Sequence, residues 1–525
     1  MIPGQMTQLI GTGGFNVTPT DASQTPWLEN MVSDPDGTWR PRYGLKWLKD
    51  YPGVYITMLS SWYHQSSSLQ YLSFSTVSNS EHYLRHVNPS PLINFSNPSA
   101  FINRDVSATV DPGSISPDLR STSVAIGVPA SSSANVKMFY SHVNSNSFQS
   151  SEAIQSYTDV ANQEFMTDPS AKNISGLVYV QGFLWSHSYH VLCLDGDIVR
   201  WCDYSDINSW PLANYKRLHG NYGRGIAAAA LSGNTSFIFC ENGVLQLFGD
   251  IAARFRWAPS DIPTCVSPHG CVVSTGDKIF YMSPGPKLCV IGSDKSPRFD
   301  YAIAKDLREV DNVADLSAFY DPLHDAYCLS GRFAGGQART YLFDATEESW
   351  KGVFTYGDTG ESFALHKAVN VGPRQDPAKD YYNTTTPFAS VILAAISDEG
   401  NSRLLTWDST LFVDETSGST SEGFTCAIES SPAVGDDVFY DKVICDVYGE
   451  VHGTWEVKLY SRSDPYSSWN VASLGSISEF SPWIHVDPYS ADVYKERKIR
   501  LEASSTEGLR VRRVSIRERN LGATR

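Results

Sequence analysis

Hydrophobic positions along this chain rarely recur at helical spacing. Short apolar or alternating runs recur instead, each followed by a turn and a second run. LQYLSFSTVSNSEHYLRHV (69–87), HVLCLDGDIVRWCD (190–203) and FIFCENGVLQLFGD (237–250) have this form. So do VVSTGDKIFYMSPG (272–285), AYCLSGRFAGGQARTYLFD (326–344) and VILAAISDEGNSRLLTWD (391–408). ENG, DGD and TGD suit the tight turns between them, because these residues tolerate positive φ. From the second unit onward the spacing averages about 50 residues, the repeat of a propeller blade made from one four-stranded sheet. Roughly 120 residues separate the first two units, too many for one blade. The intervening stretch, 96–172, is rich in Ser, Asn and Pro and is expected to leave the propeller as an inserted loop-rich subdomain.

The pattern changes after about residue 411. KVICDVYGEV (442–451), GTWEVKLYSR (453–462), RKIRLEASS (497–505) and LRVRRVSIRER (509–519) read as antiparallel strands of a separate sheet. Val443, Cys445 and Val447 alternate, as do Trp455, Val457 and Leu459. The expected fold is mostly β: an interrupted β-propeller with an inserted loop-rich subdomain and a C-terminal β-sandwich-like domain. The corresponding segments are an N-terminal strap (1–50), a first blade (51–95), the insertion (96–172), the remaining blades (173–410) and the sandwich (411–525).

Composition agrees with strands. Aromatics make up 12% of the 525 residues and charged residues only 19%, below the usual ~25%. Net charge is −16, which argues against general nucleic-acid binding. The distribution is uneven: residues 495–525 hold ten Lys or Arg against four Glu, a net of +6 that leaves −22 for the residues before them. Lys498, Arg500, Arg510, Arg512 and Arg517 form a candidate docking face, with Val511 alternating between Arg510 and Arg512. Such a face is either solvated or meets an acidic partner or phosphate. The opening MIPGQMTQLIGTGG has no basic stretch followed by a long apolar one, so no signal peptide is expected. No apolar run reaches the ~18 residues of a membrane-spanning segment. The nine Cys form no CxxC pair, and buried free thiols are expected, as in a reducing cytosol.

Candidate chemistry is sparse. GTGG (11–14) lacks the Lys-Ser/Thr of a phosphate-binding loop and has no apolar strand before it. SDPDGTW (33–39) is close to the Asp box of sialidase-type propellers, but Asp36, Thr38 and Trp39 miss the required offsets from Ser33. His187 and His190, read as one strand, fall on opposite faces and cannot share a metal. His269 and Cys271, with Cys265 near, lack further ligands. No catalytic residue, cofactor or metal site is expected, and the chain is read as a non-enzyme.

One set of residues does form a pattern. Gly13, Gly14 and Asn16 in GGFN, then Gln24, Asn30 in LENMV (28–32), and Gly37, Arg40, Arg42 and Gly44 in DGTWRPRYGL (36–45) open the chain. AIGVPASSSANV (125–136), RWCDYSDINSWP (200–211), ENGVLQLFGD, and the hairpin across Tyr320, Tyr341 and Trp350 follow in order. Together they resemble the tail nozzle proteins of short-tailed bacteriophages, also called tail tubular or packaged-DNA stabilisation proteins. The resemblance implies a homohexameric ring in the virion tail, made in the host cytoplasm and seated below the portal and its adaptor. Its channel would retain and pass double-stranded DNA without sequence specificity, and tail fibres or tailspikes would attach outside. An acidic wall would let a duplex slide, and the basic C-terminal strands would dock on an acidic neighbouring subunit or meet DNA. A glycan-binding or glycan-cleaving propeller, and a cellular scaffold, are the rival readings.

Overall fold

Where the chain alternates it makes half-buried strands, and where it is continuously apolar it makes strands covered on both sides. Trp455–Arg462 buries every second residue. Thr235–Cys240 and Val391–Ser397 are buried throughout, as expected of strands sandwiched between neighbouring sheets. The turns follow the sequence: Gly196 lies at φ 57° between His190–Asp195 and Ile198–Trp201, a conformation glycine takes without strain.

The computed structural model describes residues 7–9, 25–34, 38–64, 69–78, 81–87, 102–105, 122–127, 137–142, 155–157 and most of 183–523; within that last span 205–210, 267–270, 311–315, 371–390, 435–439 and 488–492 are the longer exceptions. These residues form a β-propeller. Its first blade pairs Tyr55–His64, Leu69–Ser78, Glu81–Val87 and Ile102–Asp105. Blade 2 is the three-stranded sheet Thr122–Gly127, Lys137–His142 and Gln155–Tyr157. Blades 3, 4 and 5 are four-stranded meanders that begin at Phe183–His187, Gly225–Leu231 and Val273–Ser274. Blade 6 runs from Ser317–Asp321 to Ser349–Phe354, and blade 7 contains Glu361–Asn370, Val391–Ser397 and Ser402–Asp408. The first strand of each blade approaches the first strand of the next, and Glu361–Asn370 returns to Tyr55–His64, so the ring of seven sheets closes.

Closure uses the N-terminal part of the chain. Gly44–Tyr51 pairs antiparallel with Ser402–Asp408 as the outer strand of blade 7. Joining the strand that precedes the first blade to the last strand of blade 7 ties the ring shut.

The stretch 96–172 departs from expectation. It supplies Ile102–Asp105 to blade 1 and all three strands of blade 2, and Thr122–Gly127 sits in the ring between Tyr55–His64 and Phe183–His187. Its strands are three to six residues long, separated by Ser- and Asn-rich sequence, so the local pattern reads as loop.

The C-terminal segments form a sandwich, but its first sheet is not separate from the propeller. Trp27–Glu29 lies parallel to Ser349–Phe354 of blade 6 on one side and antiparallel to Thr425–Glu429 on the other. Blade 6 thereby continues through Thr425–Glu429, Glu496–Ser504, Trp455–Arg462 and Asn470–Ile477 into one ten-stranded sheet. The second sheet contains Met31–Ser33, Trp39–Pro41, Arg510–Ala523, Tyr440–His452 and Trp483–His485. Val457, Leu459, Ile499 and Leu501 of one sheet share a core with Ile444, Val447, Val514 and Ile516 of the other.

Candidate functional site: the strap junction and the basic strands

Of the signature residues, Asn30, Arg40, Arg42 and Gly44 are described, and Gly13, Gly14, Asn16 and Gly37 lie outside the described residues. The four described ones converge where the strap crosses from the sandwich to blade 7. Asn30 breaks the chain between Trp27–Glu29 and Met31–Ser33 at φ 54°, a conformation that Asn accepts more readily than other side-chain-bearing residues. Its amide is saturated. Nδ2 donates to Thr355 Oγ1 and to the Thr425 carbonyl, both at 2.8 Å. Oδ1 accepts from Arg42 Nε and from the Thr355 N–H, both at 2.9 Å.

Arg42 is wholly buried and uses all five of its N–H donors. Besides Nε, Nη1 donates to the Tyr43 carbonyl at 2.9 Å and Asp414 Oδ1 at 2.8 Å. Nη2 donates to the Thr355 carbonyl at 2.8 Å and Asp414 Oδ2 at 2.5 Å. The guanidinium also lies 4.0 Å from the Phe424 ring centroid. Asp414 Oδ1 accepts the Leu45 N–H at 2.9 Å as well. A buried pair repays its desolvation only when geometry is good and the remaining donors are satisfied; here both conditions hold. The node ties blade 6, through Thr355, to blade 7, through Leu45, and to the sandwich, through Thr425.

Gly44 is required by a close approach. A Cβ there would lie 2.1 Å from the Val413 carbonyl oxygen and 2.9 Å from Leu411 Cβ. Arg40 is more open: it pairs with Asp34 at 2.7 Å and lies over Tyr43 at 4.5 Å. These residues hold structure together; every donor of Arg42 is spent on the protein itself.

The candidate docking face is mostly engaged within the chain. Lys498 pairs with Glu429 at 2.7 Å. Arg500 reaches Glu429 at 3.0 Å and Glu29 at 3.5 Å, and also pairs with Glu502. Burial alone would raise the Glu502 carboxyl, but hydrogen bonds from Lys458 and Arg500 outweigh it and hold the group below its ordinary value. Arg510 pairs with Asp34 and Arg517 with the buried Asp446. Arg512 differs: its side chain is 72% exposed, with Glu450 at 4.0 Å. A register shift explains this. Glu450 pairs with Arg513 and Val451 with Val511, so Arg512 is the extra residue of a bulge, outside the simple alternation.

His187 and His190 correct the one-strand reading. A turn with Ser188 at φ 52° folds the chain between them, and they become directly opposed partners in a hairpin. Both rings pack edge-on against Phe255, at 5.5 and 5.2 Å. His187 contacts Ser236 Oγ at 2.7 Å and the Gly249 carbonyl at 2.6 Å. His190 Nδ1 donates to the Cys202 carbonyl at 2.8 Å, and its Nε2 accepts the Ala252 N–H at 3.2 Å. All four ring nitrogens are occupied, so the pair holds the end of blade 4 and offers no lone pair to a metal. Burial holds both imidazoles below their ordinary value, against the hydrogen bonds to the Gly249 and Cys202 carbonyls that would raise them. His269 lies outside the described residues. Among the described residues, no group of three or more His, Cys, Asp or Glu could hold a metal ion. All nine cysteines are free, and all but Cys445 are buried.

A cleft of about 460 Å³ opens beside the Arg42 node, lined by Glu29, Glu361, Asp414, Glu422, Tyr356 and Phe424 among others. Its carboxylates are in use: Glu361 accepts from Asn401 at 2.9 Å, Glu29 from Trp27 Nε1 at 3.0 Å, and Asp414 from Arg42. Sequence reasoning missed Asp414 and Thr355, the partners that give Asn30 and Arg42 their role. They lie 372 and 313 residues from Arg42, and no local pattern marks them.

No protein-family model and no curated protein matches the chain. Among solved structures, it is similar to a chain described as BBS1N in complex with ARL6DN, soaked with lead, at 7% identity and a TM-score of 0.40, covering 70% of this chain and 98% of that one. Among the described residues, no helix is long and apolar enough to cross a membrane.

Proposed function

We propose that this chain is a structural virion protein of the tail-nozzle kind, a subunit of a ring-shaped conduit below a portal adaptor. It retains packaged double-stranded DNA, passes it during ejection and anchors fibres or spikes, without catalysis. The observation that supports this reading most is the role of the residues that carry the resemblance. Asn30, Arg42 and Gly44 lock the closing strand of the propeller to blade 6 and the sandwich. A conduit wall pressed by packaged DNA needs a subunit that does not hinge between its lobes, and a ten-stranded sheet running through both lobes supplies that stiffness. The net charge of −16 suits a channel that should not grip phosphate. Copies would join through heterologous contacts that close into a homohexamer.

Light scattering on the purified chain, alone and mixed with a portal adaptor from a short-tailed phage, tests the proposal. A closed ring forming on the adaptor is the expected result. A chain that stays monomeric with the adaptor and releases sugars from capsule or lipopolysaccharide overturns it in favour of a glycan-cleaving propeller.

A further inference from the structure

The outer face of the second sandwich sheet carries a feature that the conduit role does not use. Along Tyr440–His452, Val447 points into the core while Asp446 and Tyr448 flank it on the opposite face. Register sets His485 beside Asp446 and Trp483 beside Tyr448 on one side, and Arg517 beside Asp446 and Ser515 beside Tyr448 on the other. The Tyr448 and Trp483 rings are 4.7 Å apart, and Trp483 and His485 lie nearly parallel, 6.2 Å apart at 6°. Trp483 is 45% exposed, and Phe480, on the adjoining turn, 91%. Exposed large rings in one cluster mark a binding surface more often than scattered ones do.

The groups around the rings are polar and held in place. Asp446 is buried and accepts from His485 Nδ1 at 2.6 Å while pairing with Arg517. It thus orients an imidazole and a guanidinium whose outer parts stay open, at 78% and 44% exposure. Arg512 and Arg513, both exposed, add cationic charge at one end, against Glu450.

We propose that this face binds an acidic glycan, a pyranose polymer carrying carboxylate or phosphate groups. The C–H face of a sugar ring carries partial positive charge and packs on the negative face of an aromatic ring, here Trp483 with Tyr448 beside it. Hydroxyls meet His485 and Arg517, and the acid group meets the arginines. A protein partner would require a broad apolar centre with polar groups at its rim, of about 800 Å² per side; here the open His485 and Arg517 stand among the rings themselves. Asp446 is buried and paired with Arg517, so the charge this face exposes is mainly that of its arginines; a phosphodiester strand shares that attraction and is one of the outcomes the test separates. The proposal is independent of the conduit reading, since a monomer displays the same face.

The test is retention of the full chain on immobilised polysaccharides: alginate, polygalacturonate and hyaluronan as acidic probes, dextran and galactomannan as neutral ones, with an oligothymidylate as control. Retention on at least one acidic polysaccharide, weakened by salt, is expected. Trp483→Ala should weaken it about tenfold or more, a loss of ~1.4 kcal/mol, and His485→Ala should weaken it less. Both side chains are exposed, so an unchanged thermal midpoint shows that each variant folds. No retention on any acidic polysaccharide overturns the proposal. So does equal retention on the neutral ones, retention indifferent to Trp483→Ala, or stronger retention on the oligothymidylate.

Discussion

Arg42 and Arg512 stand at opposite limits of what a cation does in this protein. Arg42 is wholly buried, with a bidentate carboxylate, two carbonyls and an amide oxygen around its five N–H groups. Arg512 stands on a bulge, 72% exposed, with its nearest carboxylate at 4.0 Å. Both sit in arginine-rich sequence, WRPRYG and LRVRRV. The difference is therefore one of environment: removing a partner from a buried pair strands a charge in low dielectric, whereas water replaces the partner at the surface.

The largest break of that comparison is Arg42→Ala. It leaves Asp414 buried without its partner and should cost about 3–5 kcal/mol, measured by urea denaturation. Arg42→Lys should recover little, because an ammonium cannot reproduce the planar fork. Next comes Gly44→Ala, which forces a Cβ against the Val413 carbonyl. Overpacking of this kind should cost about 1–3 kcal/mol and lower the thermal midpoint.

Acid sharpens the comparison by titrating both kinds of environment in turn. His187 and His190 have folded values held below the ordinary 6.5 by burial, so their contribution to stability is present above that pH and is lost as pH falls through the folded values. Glu502 and Glu518 are held below the ordinary 4.5, net of a burial effect that opposes the shift, so theirs is present above pH 4.5 and lost further down. Denaturation midpoints should fall in two stages, and His190→Gln should flatten the first while leaving the second in place. The smallest effect belongs to Arg512→Ala, which should change stability by no more than about 0.5 kcal/mol in the same urea assay. A cost near that of Arg42→Ala would show that the surface charges share a network.

Much of the fold was legible because hairpins are local. HVLCLDGDIVRWCD and FIFCENGVLQLFGD each hold two strands and the turn between them, and both fold as hairpins, although only the first turn uses the positive φ expected of it, at Gly196. Blade 2 was not legible, because its strands are short and the residues between them carry no apolar pattern. The His187–His190 pairing was misread for a smaller reason. The WSHSYH run has no Gly, Asn or Asp to announce its turn, and Ser188 takes the left-handed conformation instead. The basic strands were recognised as basic, but their carboxylate partners, Glu29, Asp34, Glu429 and Asp446, come from three other parts of the chain.

The sequence by itself determined the class of structure: strands from alternation and aromatic content, and turns from Gly, Asn and Asp. These follow from rules that act over a few residues. The tertiary structure alone decided that the N-terminal strap is shared, with Trp27–Glu29 joining blade 6 to the sandwich and Gly44–Tyr51 closing blade 7. It also decided that Arg42 is a buried keystone while Arg512 is solvated. The free energy of a charge depends on the dielectric and partners around it, and those are assembled by residues hundreds of positions away.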